Sequence, residues 1–328
     1  MDPIRGLLER CRKCKYYKCT CTVTHPANLV EAISSLKKFS IDDFKVSKHV
    51  LRRGNYFTER VVRYTNSKDD MVMKVCDQKQ NKKAQIKKEA QVLRFLGAQC
   101  EFICSAFAIF EEVDKTYFIT EYLSGGNLEN LLHTKKFFGI ESLRFYGIEA
   151  YMAIEFLQQQ QIVHRNIQPE HFLIDSMGHI KLTGFGLSKH LRGSDFTYTM
   201  VGNPHYMAPE VLTLDGYSLA CDWYSYGCLL FHLAQGFPPF SDFTVQEVID
   251  QKSTVPPFVR KCTDARAINL IRQLLIPCPT SRAVFAAQKI KAHPLFQFYK
   301  HEKINWQKIR SMQPPFDALS THSILPYN

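Results

Sequence analysis

The eight residues from His164 to His171 place several polar side chains close together, and their types limit the chemistry they can do. An amide has no basic lone pair near neutral pH, so Asn166 can orient a hydroxyl group but cannot deprotonate it. Thirteen residues after His171 comes Gly184-Phe185-Gly186. Magnesium prefers oxygen ligands in octahedral geometry, whereas these positions supply one imidazole and a glycine without a side chain. Asn166 therefore supplies no general base, and neither His171 nor Gly184 supplies a side-chain oxygen for a magnesium ion.

Three stretches carry a resemblance to a known family. The run from His164 to His171 has the outline of a protein-kinase catalytic loop, whose template is His-Arg-Asp-Leu, three further residues and Asn. Gly184-Phe185-Gly186 stands where kinases have Asp-Phe-Gly, and the stretch 201–210 is similar to that of G-protein-coupled-receptor kinases. From about Phe44 to about Phe316, the chain therefore resembles a eukaryotic protein kinase of the AGC class.

The resemblance implies an α+β fold of two lobes. The small lobe, 44–123, is expected to be mostly antiparallel β-sheet with one main helix, and the large lobe, 124–298, mostly α-helical. A truncated AGC-type carboxy-terminal tail is expected at 299–328. The remaining segment, 1–43, is a basic, cysteine-containing extension in which apolar residues at helical spacing predict a short helix between 28 and 38. The length of 328 residues with 45% hydrophobic residues is sufficient for such a core.

Each reactive position of the large lobe departs from the kinase pattern. The resemblance places Asn166 at the position of the catalytic Asp and Gln168 at the position of the phosphate-directed Lys. His171 and Gly184 occupy the two magnesium-ligand positions. The base, the positive charge and both metal ligands are therefore expected to be lost, and no metal is predicted.

The small lobe keeps part of the nucleotide pattern. The three glycine positions of the phosphate loop fall on Arg52, Gly54 and Phe57, so only one glycine remains, and the Phe57 side chain would obstruct an approaching phosphate. Lys74 and Glu89, by contrast, stand where kinases have the ion pair that positions the phosphates. The resemblance implies that this pair survives, at least as a tie between helix and sheet.

A strand from Thr116 to Leu123 leads into the place of the kinase hinge. Adenine pockets use hinge backbone groups, which almost any sequence supplies, so Thr120, Glu121 and Leu123 are candidate nucleotide contacts. The prediction is that the protein has no cofactor, with ATP bound in the absence of magnesium as the alternative.

Regulation is also implied by the resemblance. Thr199 lies three residues before Gly202, which is the usual spacing of the phosphorylated Thr in this class, and Arg165 and Lys189 occupy the positions that pair with its phosphate. The alternative is that Thr199 is simply one of several exposed hydroxyl residues. Three further residues are expected to act in the scaffold: Glu210, Asp222 and Arg282.

Charge is concentrated near the amino terminus. Residues 1–100 contain 22 Lys and Arg against 10 Asp and Glu, whereas residues 101–328 contain 20 against 21. A basic face there can steer an acidic protein or an anionic membrane, although a solvated basic surface is the commoner meaning. For Cys11, Cys14, Cys19 and Cys21 the alternatives are a zinc site, acylation beside the basic residues, or a disordered basic tail, which is favoured.

The leading functional hypothesis is a pseudokinase, a catalytically impaired kinase homologue that binds a protein partner, such as an active kinase, and acts as a regulator or scaffold. A weak or atypical serine/threonine kinase is the first alternative. The second is a basic module for nucleic acid or membrane surfaces, and nucleic acid is disfavoured because no recognised binding motif is present. A cytoplasmic location is predicted, since the sequence shows neither a membrane-spanning run nor a secretory signal.

Overall fold

The computed structural model describes residues 39–316, except 55, 66, 68, 79–81, 97, 194, 241–246, 249 and 251–263. The helix predicted between 28 and 38 and the four amino-terminal cysteines lie outside the described residues. The described residues fall into two compact units divided after Tyr122. They are called here the small unit, 39–122, and the large unit, 123–316.

The small unit is built on an antiparallel sheet of five strands in the order β1-β2-β3-β5-β4. Side chains alternate across the sheet, and the face formed by residues such as Val62, Met71, Met73 and Ile119 is buried as a core. The elements of this unit are β1 Phe44–Arg53, β2 Phe57–Tyr64, β3 Asp70–Asp77, α1 Lys83–Leu96, β4 Ala106–Glu112 and β5 Lys115–Glu121.

Helix α1 packs through one amphipathic face. Its apolar residues recur at the helical period, so Ile86, Ala90, Leu93 and Leu96 all lie on the buried side. Glu89 lies on the same side and is 4% exposed. A buried carboxylate is costly unless it is paired, so α1 depends on a cation in the sheet.

The large unit is mainly helical. Helices α3 (Ile140–Gln159) and α5 (Ala220–Gln235) are buried on nearly every side, which is typical of central helices, and α5 is capped by Gly236 in the left-handed conformation with φ 82°. The elements are α2 Leu128–Lys135, α3 Ile140–Gln159, β6 Ile162–Val163, β7 Phe172–Ile174, β8 Ile180–Leu182, β9 Lys189–His190, α4 Pro209–Leu212, α5 Ala220–Gln235, α6 Ala265–Leu274, α7 Pro279–Lys289, β10 Phe298–Tyr299 and β11 Glu302–Lys303.

Three short antiparallel pairs complete the large unit. Strand β6 pairs with β9, β7 with β8, and β10 with β11. The loop from His164 to His171 runs between β6 and β7, and Gly184 follows β8, so the β7–β8 pair brings the two motifs together. The predicted α+β class, with an antiparallel sheet in the small unit and helices in the large unit, is confirmed. Within the described residues, no helix is both long and apolar enough to cross a bilayer.

Candidate functional site

Asp222 holds the backbone of the loop that begins at His164. Its Oδ2 accepts a hydrogen bond from the amide of His164 at 2.7 Å, and its Oδ1 accepts one from the amide of Arg165 at 2.9 Å. Burial raises the pKa of Asp222 to about 6, although the two backbone hydrogen bonds and the charge of Arg165 act in the opposite direction. Because Asp222 lies in the first turn of the buried helix α5, the loop is fixed to the centre of the large unit.

Three amide side chains form a continuous hydrogen-bonded chain in this loop. The Nε2 of Gln168 donates to the Oδ1 of Asn166 at 3.1 Å, and the Nδ2 of Asn203 donates to the Oε1 of Gln168 at 3.0 Å. All three side chains are neutral amides, so together they provide neither a base nor a positive charge. The sequence prediction named Asn166 and Gln168 but missed Asn203, because its partner is 35 residues away and its residue type gives no signal.

His171 fills the space beside Gly184. The Nδ1 of His171 lies 2.7 Å from the carbonyl oxygen of Asn166, which makes that nitrogen the donor and fixes the ring. A Cβ placed on Gly184 would lie 2.7 Å from the Cδ2 and 2.9 Å from the Cγ of the His171 ring. Gly184 also has a φ of 84°, which side-chain-bearing residues rarely adopt. The imidazole therefore occupies the volume into which a side chain at 184 would extend.

This arrangement does not fit the magnesium ions of the kinase family. The two ligand positions provide one imidazole and no oxygen, and the imidazole blocks a carboxylate from extending from position 184. His164, next to this pair, is fully buried and directs its Nε2 at the carbonyl oxygen of Thr183 at 3.0 Å. Burial, with His171 nearby, lowers the pKa of His164 to about 3, so its ring is neutral.

In the small unit, Lys74 and Glu89 form the ion pair that the sequence predicts. The Nζ of Lys74 in β3 lies 2.7 Å from the Oε1 of Glu89 in α1. Burial alone would lower the pKa of Lys74, but the neighbouring Glu89 outweighs it, so the pKa lies above its ordinary value. The pair joins helix α1 to strand β3.

Phe57 lies over the Lys74 ammonium and against the backbone of the remaining glycine. The Nζ of Lys74 is 4.8 Å from the centroid of the Phe57 ring, and a Cβ at Gly54 would overlap that ring. Kinases keep this space open so that the loop backbone can approach the phosphates and Lys can reach them. Because the Phe57 ring lies in this space, these residues do not fit a nucleoside triphosphate whose phosphates contact the loop backbone and Lys74.

The candidate hinge residues end the small unit and begin the large one. Thr120 and Glu121 close strand β5, and the Oε1 of Glu121 accepts a hydrogen bond from the amide of Ser105 at 2.8 Å. Leu123 is the first residue of the large unit and is buried. Their role as nucleotide contacts remains a prediction.

Thr199 lies in an exposed stretch and is linked to Arg165 through Tyr217. The hydroxyl of Tyr217 donates to the backbone carbonyl of Thr199 at 2.6 Å and accepts from the Nη1 of Arg165 at 3.3 Å. Lys189 lies in β9, opposite Val163. Tyr217 is a residue that sequence reasoning missed, because tertiary folding brings it to position 199.

Arg282 and Glu210 form a buried ion pair in the scaffold of the large unit. Arg282 is fully buried, and its Nη2 donates to the Oε1 of Glu210. The same guanidinium also donates to the carbonyl oxygens of Ala220 at 3.0 Å and Ile276 at 2.7 Å. Burial raises the pKa of Glu210, while Arg282 acts to lower it. One residue thus joins α4, α5 and the segment before α7.

His232 of α5 should make the protein sensitive to acid. Its ring is 4% exposed and its Nδ1 lies 2.6 Å from the Tyr206 hydroxyl, and burial lowers its pKa from 6.5 to about 4. The unfolded chain therefore binds more protons, and stability is lost as the pH falls from about 6.5 towards 4. At pH 5 the loss from this group is about 2 kcal/mol. We expect His232→Gln to remove that share, measured by urea unfolding at pH 5 and pH 7.

The matched control for this prediction is His49→Gln, since His49 is exposed and lies in the small unit, whereas α5 belongs to the large unit. It should leave the pH dependence of unfolding as it is in the unaltered protein. If His232→Gln kept the full difference between pH 5 and pH 7, the acid sensitivity would belong to other groups, among them His164, whose pKa burial lowers to about 3.

Comparison with known proteins agrees with this architecture. A family model described as the protein kinase domain matches residues 46–296, so the chain belongs to the protein kinase family. It is 32% identical over 292 residues to a RAC family serine/threonine-protein kinase homolog of Dictyostelium discoideum, covering 85% of this chain and 63% of that protein. It is 33% identical over 291 residues to ribosomal protein S6 kinase beta of Caenorhabditis elegans, with 84% and 51% covered.

A third relative is the cAMP-dependent protein kinase catalytic subunit of Arthrobotrys oligospora, which is 28% identical over 312 residues, with 90% of this chain and 56% of that protein covered. The chain thus spans between 51% and 63% of the length of these three relatives. All three are kinases of the AGC class, so that part of the predicted resemblance is confirmed. The closer likeness to G-protein-coupled-receptor kinases remains a prediction.

Proposed function

We propose that the protein is a pseudokinase, which uses the kinase fold to bind a protein partner and to regulate it or hold it in a complex. The observation that supports this most is the packing of His171 against Gly184, because it closes one magnesium-ligand position with the side chain of the other. The neutral amide chain of Asn166, Gln168 and Asn203 supports it further, since it supplies no base.

The retained scaffold also supports a binding role. Asp222 still fixes the loop backbone, and Arg282 still pairs with Glu210. Both preserve the shape of the large unit without taking part in chemistry. A protein that has lost its reactive groups but keeps these buried polar contacts presents a defined surface, and such a surface is what a partner, for example an active kinase, recognises.

The alternative is a weak or atypical serine/threonine kinase, and the intact pair of Lys74 and Glu89 is the observation in its favour. The relatives named above are called kinases, which also supports this reading for the family. Losing a general base costs about 10² to 10⁴ in rate, and losing metal charge adds to it. A proposal between these two is that the protein binds ATP without magnesium. In that case the hinge residues contact the nucleotide, and the two metal-ligand positions hold no ion.

Two further proposals concern regulation and partners. Phosphate on Thr199 would meet Arg165, whose guanidinium already reaches Tyr217 beside it, and would order the exposed stretch. The basic excess of residues 1–100 suits an acidic partner or an anionic membrane surface better than a nucleic acid. We also propose that the protein is located in the cytoplasm.

A thermal-shift titration of the purified protein tests the proposed function. A ligand at one hundred times its dissociation constant adds about 2.7 kcal/mol to the stability of a folded protein. We expect ATP with magnesium to stabilise the protein no more than ATP with EDTA, because the two metal-ligand positions provide no oxygen. Labelled phosphate should not pass from ATP to a panel of serine and threonine peptides.

Lys74→Met is the control for specific nucleotide contact, since any stabilisation that depends on the ammonium should vanish in it. A shift that requires magnesium, together with labelled peptide that Lys74→Met no longer produces, would replace the pseudokinase proposal with the weak-kinase alternative.

A further inference from the structure

We propose that Phe57 acts as an internal ligand of Lys74, taking the place that nucleotide phosphates have in other kinases and holding helix α1 in position without nucleotide. The inference rests on the proposed function, because a chain that used ATP in the ordinary way would first have to move Phe57 aside. It adds a mechanism by which a protein without a nucleotide keeps one constant small-unit conformation.

Strand register places Phe57 beside Lys74. In the antiparallel pair of β2 and β3, Phe57 lies opposite Cys76, and Glu59 lies opposite Lys74. Residues directly opposite each other share a face, so Phe57 and Lys74 are diagonal neighbours on one face of the sheet. The separation of 4.8 Å between the Nζ of Lys74 and the centroid of the Phe57 ring is within the range of a cation–π interaction.

The ammonium is enclosed by groups from the small unit itself. The Oε1 of Glu89 lies 2.7 Å from Nζ, and the ring of Phe118, which is opposite Lys74 on β5, has its centroid 5.5 Å away. The Phe57 ring covers the same ammonium as well, and the Lys74 side chain is only 15% exposed. The charge that would meet phosphates is therefore already satisfied by one carboxylate and two aromatic rings.

The turn that carries Phe57 is itself tied to α1 and to the sheet. The amide of Gly54 donates to the carbonyl oxygen of Phe57 at 3.0 Å, which closes the turn. The Nε2 of Gln85 in α1 donates to the Tyr56 hydroxyl at 3.1 Å, and the amide of Asp77 donates to the Tyr56 carbonyl at 3.0 Å. Tyr56 and Phe57 together form what we call the latch, a two-residue contact between the turn, β3 and α1.

The hydrogen-exchange rate of the α1 amides shows how well the latch holds α1 in position. The experiment uses the full chain and needs no catalytic turnover. A cation–π contact of this degree of burial corresponds to a factor of about five to thirty in a local opening equilibrium. We expect Phe57→Ala to speed exchange of the buried-face amides of α1 by that factor while those of β5 stay unchanged. ATP added in EDTA should bind this variant and restore part of the protection.

Two further variants keep the test decisive. Arg52→Met is the matched control, because Arg52 also lies over the Phe57 ring, at 5.0 Å, but is outside the Lys74–Glu89 pair, so α1 should exchange as before. Phe57→Leu retains apolar bulk without the ring and should fall between the unaltered protein and Phe57→Ala.

Unchanged exchange of α1 in Phe57→Ala would overturn the inference, as would equal acceleration in α1 and β5, since that pattern is global destabilisation. Failure of ATP in EDTA to restore protection would overturn the claim that Phe57 stands in for phosphates. None of these readouts depends on magnesium or on phosphate transfer, so they are separable from failure of the proposed function, which appears as turnover by the unaltered protein.

Discussion

Gly184→Asp, which restores the family's carboxylate at its original place, is expected to destabilise the protein by roughly 2–4 kcal/mol rather than to recover metal binding. The new Cβ would meet the His171 ring at 2.7 Å, and the backbone at 184 has a φ of 84°. The free energy of unfolding from urea titration is the measurement. We expect the double variant His171→Asn/Gly184→Asp to regain about 1–3 kcal/mol of the loss, because the smaller side chain vacates the space.

Gly193→Asp separates backbone strain from side-chain overlap. Gly193 also has a positive φ, of 59°, but none of the residues that the structure describes lies within 4 Å of its added Cβ. It should therefore cost about 1 kcal/mol, the part that belongs to the backbone alone. If Gly184→Asp cost no more than Gly193→Asp, or if His171→Asn failed to relieve it, the blocking of position 184 by His171 would be refuted.

Arg282→Met is expected to cost about 3–5 kcal/mol, because it leaves the Glu210 carboxylate buried without its cation. The variant also leaves the carbonyl oxygens of Ala220 and Ile276 without their donor. Replacing both partners, as in Arg282→Met/Glu210→Leu, should recover much of the loss, since apolar pairs of similar volume are often as stable as a buried ion pair. Urea unfolding of the three variants measures the difference.

The exposed pair of Arg266 and Asp264 is the matched comparison. Its atoms are 2.6 Å apart, but the Arg266 side chain is 49% exposed, so Arg266→Met should change stability by less than about 1 kcal/mol. Similar losses from Arg282→Met and Arg266→Met would mean that burial does not set the importance of the Glu210 pair.

Much of the fold could be predicted because periodicity and motif order are properties of the sequence. The apolar residues between Ile140 and Gln158 recur at helical spacing, and α3 ends one residue later, at Gln159. Strand β1 begins at Phe44, where the small lobe was expected to begin, and it runs to Arg53 because pairing with β2 continues through an irregularity between Val50 and Arg52. Strand ends depend on the partner strand, which apolar patterning does not reveal.

The site was predictable in its residue types but not in its contacts. Spacing from Lys74 to Glu89 indicated their ion pair, because both belong to motifs with fixed positions. The ring of Phe57 over Lys74, and that of His171 against Gly184, depend on side-chain orientation in three dimensions. The sequence indicated that the residue types which contact phosphate and magnesium in kinases are replaced at these positions. The packing adds that the Phe57 and His171 rings occupy the space beside Lys74 and Gly184.

The packing of His171 against Gly184 has a consequence for the order in which substitutions can be made at the two positions. A carboxylate introduced at 184 alone meets the His171 ring, so the single substitution gives a less stable protein than the same substitution combined with a smaller residue at 171. Under the proposed pseudokinase function, a steric contact therefore opposes a metal-binding side chain at position 184, so that two substitutions rather than one separate this chain from the kinase pattern there.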